Sequence, residues 1–370
     1  MRGVWTWPAV VGIAVGVALF VVLFVPALAV QYRRYGRPSP VRLVAVAAAC
    51  VYAVALVAYT LLPLPTGDLT QWCAQHAAGH NLHPLAAVHD VRAEVAAVGP
   101  AAALHSFVVL QLVLNVALFV PWGVLVRLLL RWGVVRTTAT AALVSTLIEV
   151  TQYTGIFGLI GCSYRVGDVD DVILNTSGAL VGALLAPALS RRVPSSGALA
   201  RERGAPRPVT VGRRWAAMAV DAALALGLAL CLDLAWSLVQ VLRGATSAEP
   251  AVTSLVLGDV VPLVVVFVAP ALLGSGASWG QRTVWLTPRW PDRARWTRRL
   301  ARALASGGAW WVLTSAPEVP GLDDGVASLL AVLGWLVAVV AVAAAPFTRG
   351  RRGLSCAWTG GVLDDARVSP

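Results

Sequence analysis

Apolar residues run in long blocks along most of this 370-residue chain, broken by short polar stretches. A helix needs about 20 consecutive apolar residues to cross a bilayer core. Segments 8–30, 43–62, 106–126, 137–158, 215–241, 255–274 and 327–346 meet that length clearly. Two more are weaker. Segment 172–190 holds Asn175 and several small residues, and segment 300–316 holds Gly307, Gly308 and the pair Trp310–Trp311. The pattern predicts an all-α, polytopic transmembrane protein of about nine helices, or eight if 300–316 is re-entrant or interfacial.

Charge sharpens this picture. Only 13% of the residues are charged, whereas a soluble domain carries roughly 25%. The formal net charge is +11, all 29 basic residues are arginine, and there is no lysine. Arginines alternate between loops: 25 fall in 31–42, 127–136, 191–214, 275–302 and the tail after 346, leaving Arg2, Arg92, Arg165 and Arg243. The other loops carry acids, among them Asp68, Asp90, Glu94, Asp168, Asp170, Asp171, Glu318, Asp323 and Asp324. By the positive-inside rule the N-terminus lies outside and the C-terminus inside. The first apolar run is too long for the core of a signal peptide and is expected to stay as a helix of a bacterial plasma-membrane protein.

Loop 191–214 is rich in Pro, Ser, Gly and Arg, which reads as a basic cytoplasmic linker. It divides the chain into a five-helix domain, 1–190, and a second membrane domain of three to four helices, 213–364. The linker takes 191–212, and 365–370 is a tail. No internal repeat relates the two domains.

Polar groups inside the bilayer are expensive and mark candidate sites. Asn115 lies mid-helix, before Pro121, which removes a backbone donor and predicts a kink. Glu149 lies in the fourth segment, with Gln152 and Tyr153 on its face. An isolated ionised carboxylate does not persist in hydrocarbon, so Glu149 is expected to be protonated, hydrated or paired. Arg165 is the nearest outward cation in sequence. One expectation is a single outer polar pocket of Glu149, Arg165, Asp168, Asp170 and Asp171. The alternative is a packing network in which the aspartates cap the fifth helix. Asn175 follows Asp171 by four residues, and Gly178 and Gly182 form a step that permits close helix contact.

The series Asn115-x3-Phe119-x-Pro121-x-Gly123, Glu149-x2-Gln152 and Arg165-x2-Asp168-x2-Asp171-x3-Asn175-x2-Gly178-x3-Gly182 resembles the VanZ-like family over about residues 40–190. Members resemble an accessory membrane protein associated with teicoplanin resistance. The resemblance implies a cell-envelope role, antibiotic resistance among them, and no established reaction. Asn115, Glu149, Gln152, Arg165, Asp168, Asp171 and Asn175 are the site residues it singles out.

In the second domain, Arg213 and Arg214 precede a helix that contains Asp221. Seven positions return Arg214 and Asp221 to nearly one face, about two turns apart. With Arg298, Arg299 and the run Arg351-Arg352-Gly353-Leu354, this order resembles the RDD family over about residues 210–364. Members commonly follow that run with His-Asp, where this chain has Ser355-Cys356. The resemblance allows a transport role; a plain reading is that Arg214 and Asp221 stabilise the start of a helix.

Other patterns carry less. Cys73, His76, His80 and His83 have ligand-like spacing, but Gly79 and Pro84 point to an irregular loop, so no metal or other cofactor is expected. Cys73 and Cys162 are the two outward cysteines, a candidate disulfide pair in an oxidising exterior. Loop 275–302 mixes Trp279, Trp285, Trp290 and Trp296 with arginines, which beside a membrane suggests anionic lipid at the inner face, not nucleic acid. No nucleophile–base pair or phosphate loop appears, and without lysine no Schiff base can form. The expected function is an outward polar site that meets an envelope precursor or a glycopeptide. The alternatives are an intramembrane enzyme on a lipid-linked substrate and a transporter using Glu149 and Asp221.

Overall fold

The structure, a computed structural model, describes residues 2–190, 196–243, 251–291 and 296–368. It is helical almost throughout, with two pairs of very short strands. Among the described residues, eight helices are long and apolar enough to cross a membrane. They are Val10–Tyr35, Pro40–Leu61, Phe107–Leu130, Val134–Tyr153, Val169–Leu189, Val211–Leu242, Val252–Leu272 and Asp324–Phe347. Large apolar side chains such as Val22, Leu143, Leu184 and Leu238 project outward from them, as lipid-facing positions do.

The segment 300–316 is absent from this set for a visible reason. It lies in a helical run from Trp296 to Thr314 whose first turns carry Arg298, Arg299 and Arg302. The three arginines set it apart, since its π-helical stretch, Leu304–Gly308, has counterparts inside the span Val252–Leu272. The count of eight is the lower of the two expected values, and eight crossings put both termini on one side, unlike the expected outside N-terminus and inside C-terminus. The expected linker is also partly ordered: Ser196–Arg201 is helical, followed by one 3₁₀ turn, Glu202–Gly204.

The chain forms two compact units. The first comprises Met1–Leu23 and Ser39–Pro194; the second comprises Phe24–Pro38 and Ser195–Pro370.

In the first unit the third spanning helix, Phe107–Leu130, starts at Ser106, whose hydroxyl accepts the Val109 N–H, and runs on through Pro121. It is pressed against the fifth, Val169–Leu189, along glycines. A Cβ at Gly178 or Gly182 would collide with the carbonyl oxygen of Val116 or Val120, and one at Gly123 with that of Ala179. Small residues are what allow two helix backbones this close. Phe119, fully buried, packs there with Leu56, Ala141 and Ala179.

The second unit is built round the sixth spanning helix, Val211–Leu242, capped by the Thr210 hydroxyl on the Arg213 N–H. Two short strands, Leu286–Arg289 and Val362–Asp365, pair antiparallel and bring the C-terminal residues to the start of that helix.

Candidate functional site

The first unit's candidate site is assembled by a covered loop. A disulfide joins Cys73 to Cys162, with Cα atoms 5.8 Å apart. Beside it His80 and Asn81 pair in parallel with Gly167 and Asp168. Arg165 lies between the disulfide and the strand, so both ends of its segment are held.

The three aspartates that follow are sorted into different tasks. Asp168 accepts the Asp170 N–H at 2.8 Å, which caps the fifth spanning helix, and it takes the Asn81 amide at 3.2 Å. Asp170 is buried and turned toward the loop. Its carboxylate receives the N–H groups of Leu85, at 2.6 Å, and Ala87, at 2.8 Å, at the start of helix Ala86–Val98. Asp171 alone faces inward and accepts the Asn115 amide.

Inward of this loop is a cavity of about 470 Å³. Asn115, Glu149, Gln152, Arg165, Asp171 and Asn175 all line it. They come from the third, fourth and fifth spanning helices and the loop before the fifth. Each is fixed from behind. Glu149, 9% exposed, accepts the Asp168 N–H at 2.9 Å. Gln152 donates to the Thr60 carbonyl at 2.6 Å, and Asn175 to the Ser145 hydroxyl at 2.9 Å.

Arg165 is held differently from the expectation. Its guanidinium donates to the carbonyls of Leu62, at 2.6 Å, and Tyr59, at 3.4 Å, at the C-terminal end of the second spanning helix. That helix end carries partial negative charge, so a cation is welcome there. No carboxylate of the described residues lies within the 4.0 Å ion-pairing distance of Arg165, and Glu149 is no exception. The direct Glu149–Arg165 pair is therefore not formed: the loop is tied to the second helix instead. Asp168 and Asp170 do not line the cavity either; their carboxylates are already used by backbone and amide donors.

Other cavity residues escaped the sequence reading. Gln111, exposed, lies one turn before Asn115 on the same helix face, and that spacing was the available signal. Tyr59 and Thr60 contribute through backbone carbonyls, which no sequence pattern marks. Outside the cavity, Tyr164 next to Arg165 is buried, and that burial pushes its phenol pKa up. The histidines do not converge. His76 ends the helix Leu69–His76, His80 is in the strand, and no group of three potential ligands is found among the described residues.

Residues 49–190 match the family model described as VanZ/LLP1. This part of the chain is similar to that family. The match falls within the first unit and contains every lining residue named above. The eight apolar helices make the chain a multi-pass membrane protein, and its residues 49–190 are similar to that family. Nothing matches the chain among curated proteins or among solved structures. The VanZ-like match stops at residue 190, and nothing in the comparisons supports an RDD-like second unit.

In that second unit the adjacent arginines are separated by function. Arg213 donates to the carbonyls of Val284, Trp285, Arg207 and Pro208 and pairs with Asp365 at 2.9 Å, both side chains buried. Burial alone would raise the pKa of Asp365. The bonds from Arg367, the Arg207 N–H and the Arg213 charge outweigh it and bring it down to about 2. Arg214 and Asp221 instead line a second cavity, of about 340 Å³. Asp221 accepts the Gly280 N–H at 2.6 Å.

The tryptophans of loop 275–302 are more internal than expected for a headgroup belt. Trp279, Trp285 and Trp290 donate their indole N–H groups to the carbonyls of Val265, Tyr32 and Thr359. The guanidinium groups of Arg33, Arg203 and Arg367 lie 4.9, 5.3 and 5.5 Å from the Trp285 ring. Trp296 is the exposed one.

Proposed function

We propose that the VanZ-like unit binds an anionic group of a cell-envelope component in the cavity beneath its disulfide-linked loop. The outward placement follows from the arginine distribution along the sequence. The observation that carries the reading is Arg165: a half-buried guanidinium on the cavity wall, hydrogen-bonded to backbone carbonyls, with no carboxylate of the described residues within 4.0 Å of it. A phosphate or carboxylate entering the cavity would meet that charge directly. Asn115, Gln152 and Asn175 supply amides, and Glu149 supplies a hydrogen-bonding or proton-exchanging carboxyl. Lipid-linked envelope precursors carry both an anionic headgroup and polar decoration, and binding one would change susceptibility to a glycopeptide of the teicoplanin type.

A second reading is favoured by one further observation. Glu149 and Asp171 line the same cavity, so two carboxyl groups approach one ligand, as an acid–base enzyme on a lipid-linked substrate requires. Transport is less well supported, because Glu149 and Asp221 line separate cavities. The test is to express the wild type and Arg165→Ala in a sensitive host. Reduced teicoplanin susceptibility with the wild type and none with the variant is the expected result. Equal susceptibility in both strains and in the empty host would remove the resistance reading.

A further inference from the structure

The second unit carries a buried cation with no hydrogen-bond or close ion-pair partner among the described residues. Arg214 is 3% exposed, yet its guanidinium makes no hydrogen bond and no ion pair within 4.0 Å to any described residue, and its Nε atom is buried without a partner. Its neighbour Arg213 is saturated, so the difference belongs to the position and not to a general shortage of acceptors. Leaving a buried guanidinium bare is costly, and such groups are normally paired.

Arg214 lines the second cavity, together with Arg302, which is 4% exposed. Arg302 is fixed by the Gln281 side chain at 3.3 Å and by the Gly276 carbonyl, while its Nε also lacks a partner. Among the described residues that line it, the only carboxyl is Asp221, and the Gly280 N–H already uses one of its oxygens. The lining therefore carries positive charge in excess whichever state Asp221 adopts. The rest of the wall is apolar and aromatic: Phe267, Trp310 and Trp335 line it, and Trp335 is 60% exposed on the flank of the eighth spanning helix. A charged end and an apolar flank facing lipid suit a molecule with the same division.

We propose that this cavity binds an anionic amphiphile, with a phosphate-type headgroup between Arg214 and Arg302 and its apolar tail along Trp310 and Trp335. A phosphate oxygen would give Arg214 the charge-assisted bonds it lacks. A planar guanidinium also suits the bidentate geometry of such a group. This site is independent of the VanZ-like cavity.

The test uses the full chain, purified in detergent, with binding read as a concentration-dependent rise in melting temperature. The probes are phosphatidylglycerol, phosphatidylcholine and inorganic phosphate. For the wild type, phosphatidylglycerol is expected to stabilise strongly, phosphatidylcholine and inorganic phosphate little. Arg214→Gln is expected to fold and to bind phosphatidylglycerol about tenfold more weakly or worse, a loss of at least one charge-assisted contact. Arg298→Gln, an exposed arginine outside the cavity, is expected to bind as the wild type does. If Arg214→Gln does not fold, Ala338→Trp fills the cavity from the eighth helix without removing either arginine, and the same loss is expected. Equal response of the wild type to the two lipids would overturn the proposal. So would unchanged phosphatidylglycerol binding in a folded Arg214→Gln or Ala338→Trp protein. Stabilisation by inorganic phosphate without any by phosphatidylglycerol would overturn the amphiphile.

Discussion

The two cavities use arginine in opposite ways. In the VanZ-like unit, Arg165 is anchored on the carbonyl end of a helix and keeps its charge available at the wall. In the second unit, the anchoring and the availability are divided between neighbours: Arg213 is fully bonded, and Arg214 is bare. The difference teaches that intramembrane charge is not by itself a sign of a site. A saturated group holds the fold together, whereas a group fixed on one side and open on the other is placed to meet something.

That distinction is testable through stability, starting with the largest effect. Asp365→Asn removes the acid facing Arg213 and leaves a buried charge uncompensated, which costs about 3–5 kcal/mol. Arg214→Gln, at the residue next to Arg213, is expected to leave the melting temperature of the ligand-free protein unchanged or to raise it. Equal destabilisation by the two would erase the comparison.

Next is the tie over the first cavity. Cys73→Ser, or reduction of the wild type, opens a loop closed across 89 residues and should cost about 2–5 kcal/mol. Thermal unfolding with and without reductant measures it; labelling of both cysteines in unreduced intact cells would contradict the bond. Gly178→Ala pushes a Cβ into the Val116 carbonyl and is expected to cost about 1–3 kcal/mol by forcing the third and fifth spanning helices apart.

The smallest effect is a pH dependence. The carboxyl of Asp365 is held at about 2, below its ordinary value of 3.8. Its contribution to stability is therefore full above about pH 4 and is lost as pH falls toward 2. Unfolding followed over pH 2–5 should show that component in the wild type and lack it in Asp365→Asn.

Much of this was legible in the sequence because the bilayer imposes a simple code. Runs of apolar residues marked the eight helices, and the intramembrane Asn115, Glu149, Gln152 and Asn175 stood out as polar exceptions that now line one cavity. Spacing marked the contact glycines Gly178 and Gly182 for the same reason, since they recur on one helix face.

What was not legible concerns partners supplied by the backbone. Sequence pairs opposite charges, so Arg165 was matched with Glu149, but its real partners are the carbonyls of Tyr59 and Leu62. The three aspartates near it looked alike, yet their roles depend on which N–H groups the covering loop presents. Asp365, the acid that completes the Arg213 site, lies 152 positions away and was read as part of a tail. Only the pairing of strands Leu286–Arg289 and Val362–Asp365 brings it back. Segment 300–316 was ambiguous because its apolar half continues a helix whose other half is basic.

The central claim is that Arg165 receives an anionic group of an envelope component. It is tested most directly by native mass spectrometry of the full chain with a lipid-linked, pyrophosphate-bearing cell-wall precursor. The account predicts that the wild type retains the precursor and that Arg165→Gln loses it by about tenfold or more. Arg214→Gln should retain it. Precursor binding that is unchanged in a folded Arg165→Gln protein, or lost only in Arg214→Gln, would contradict the account.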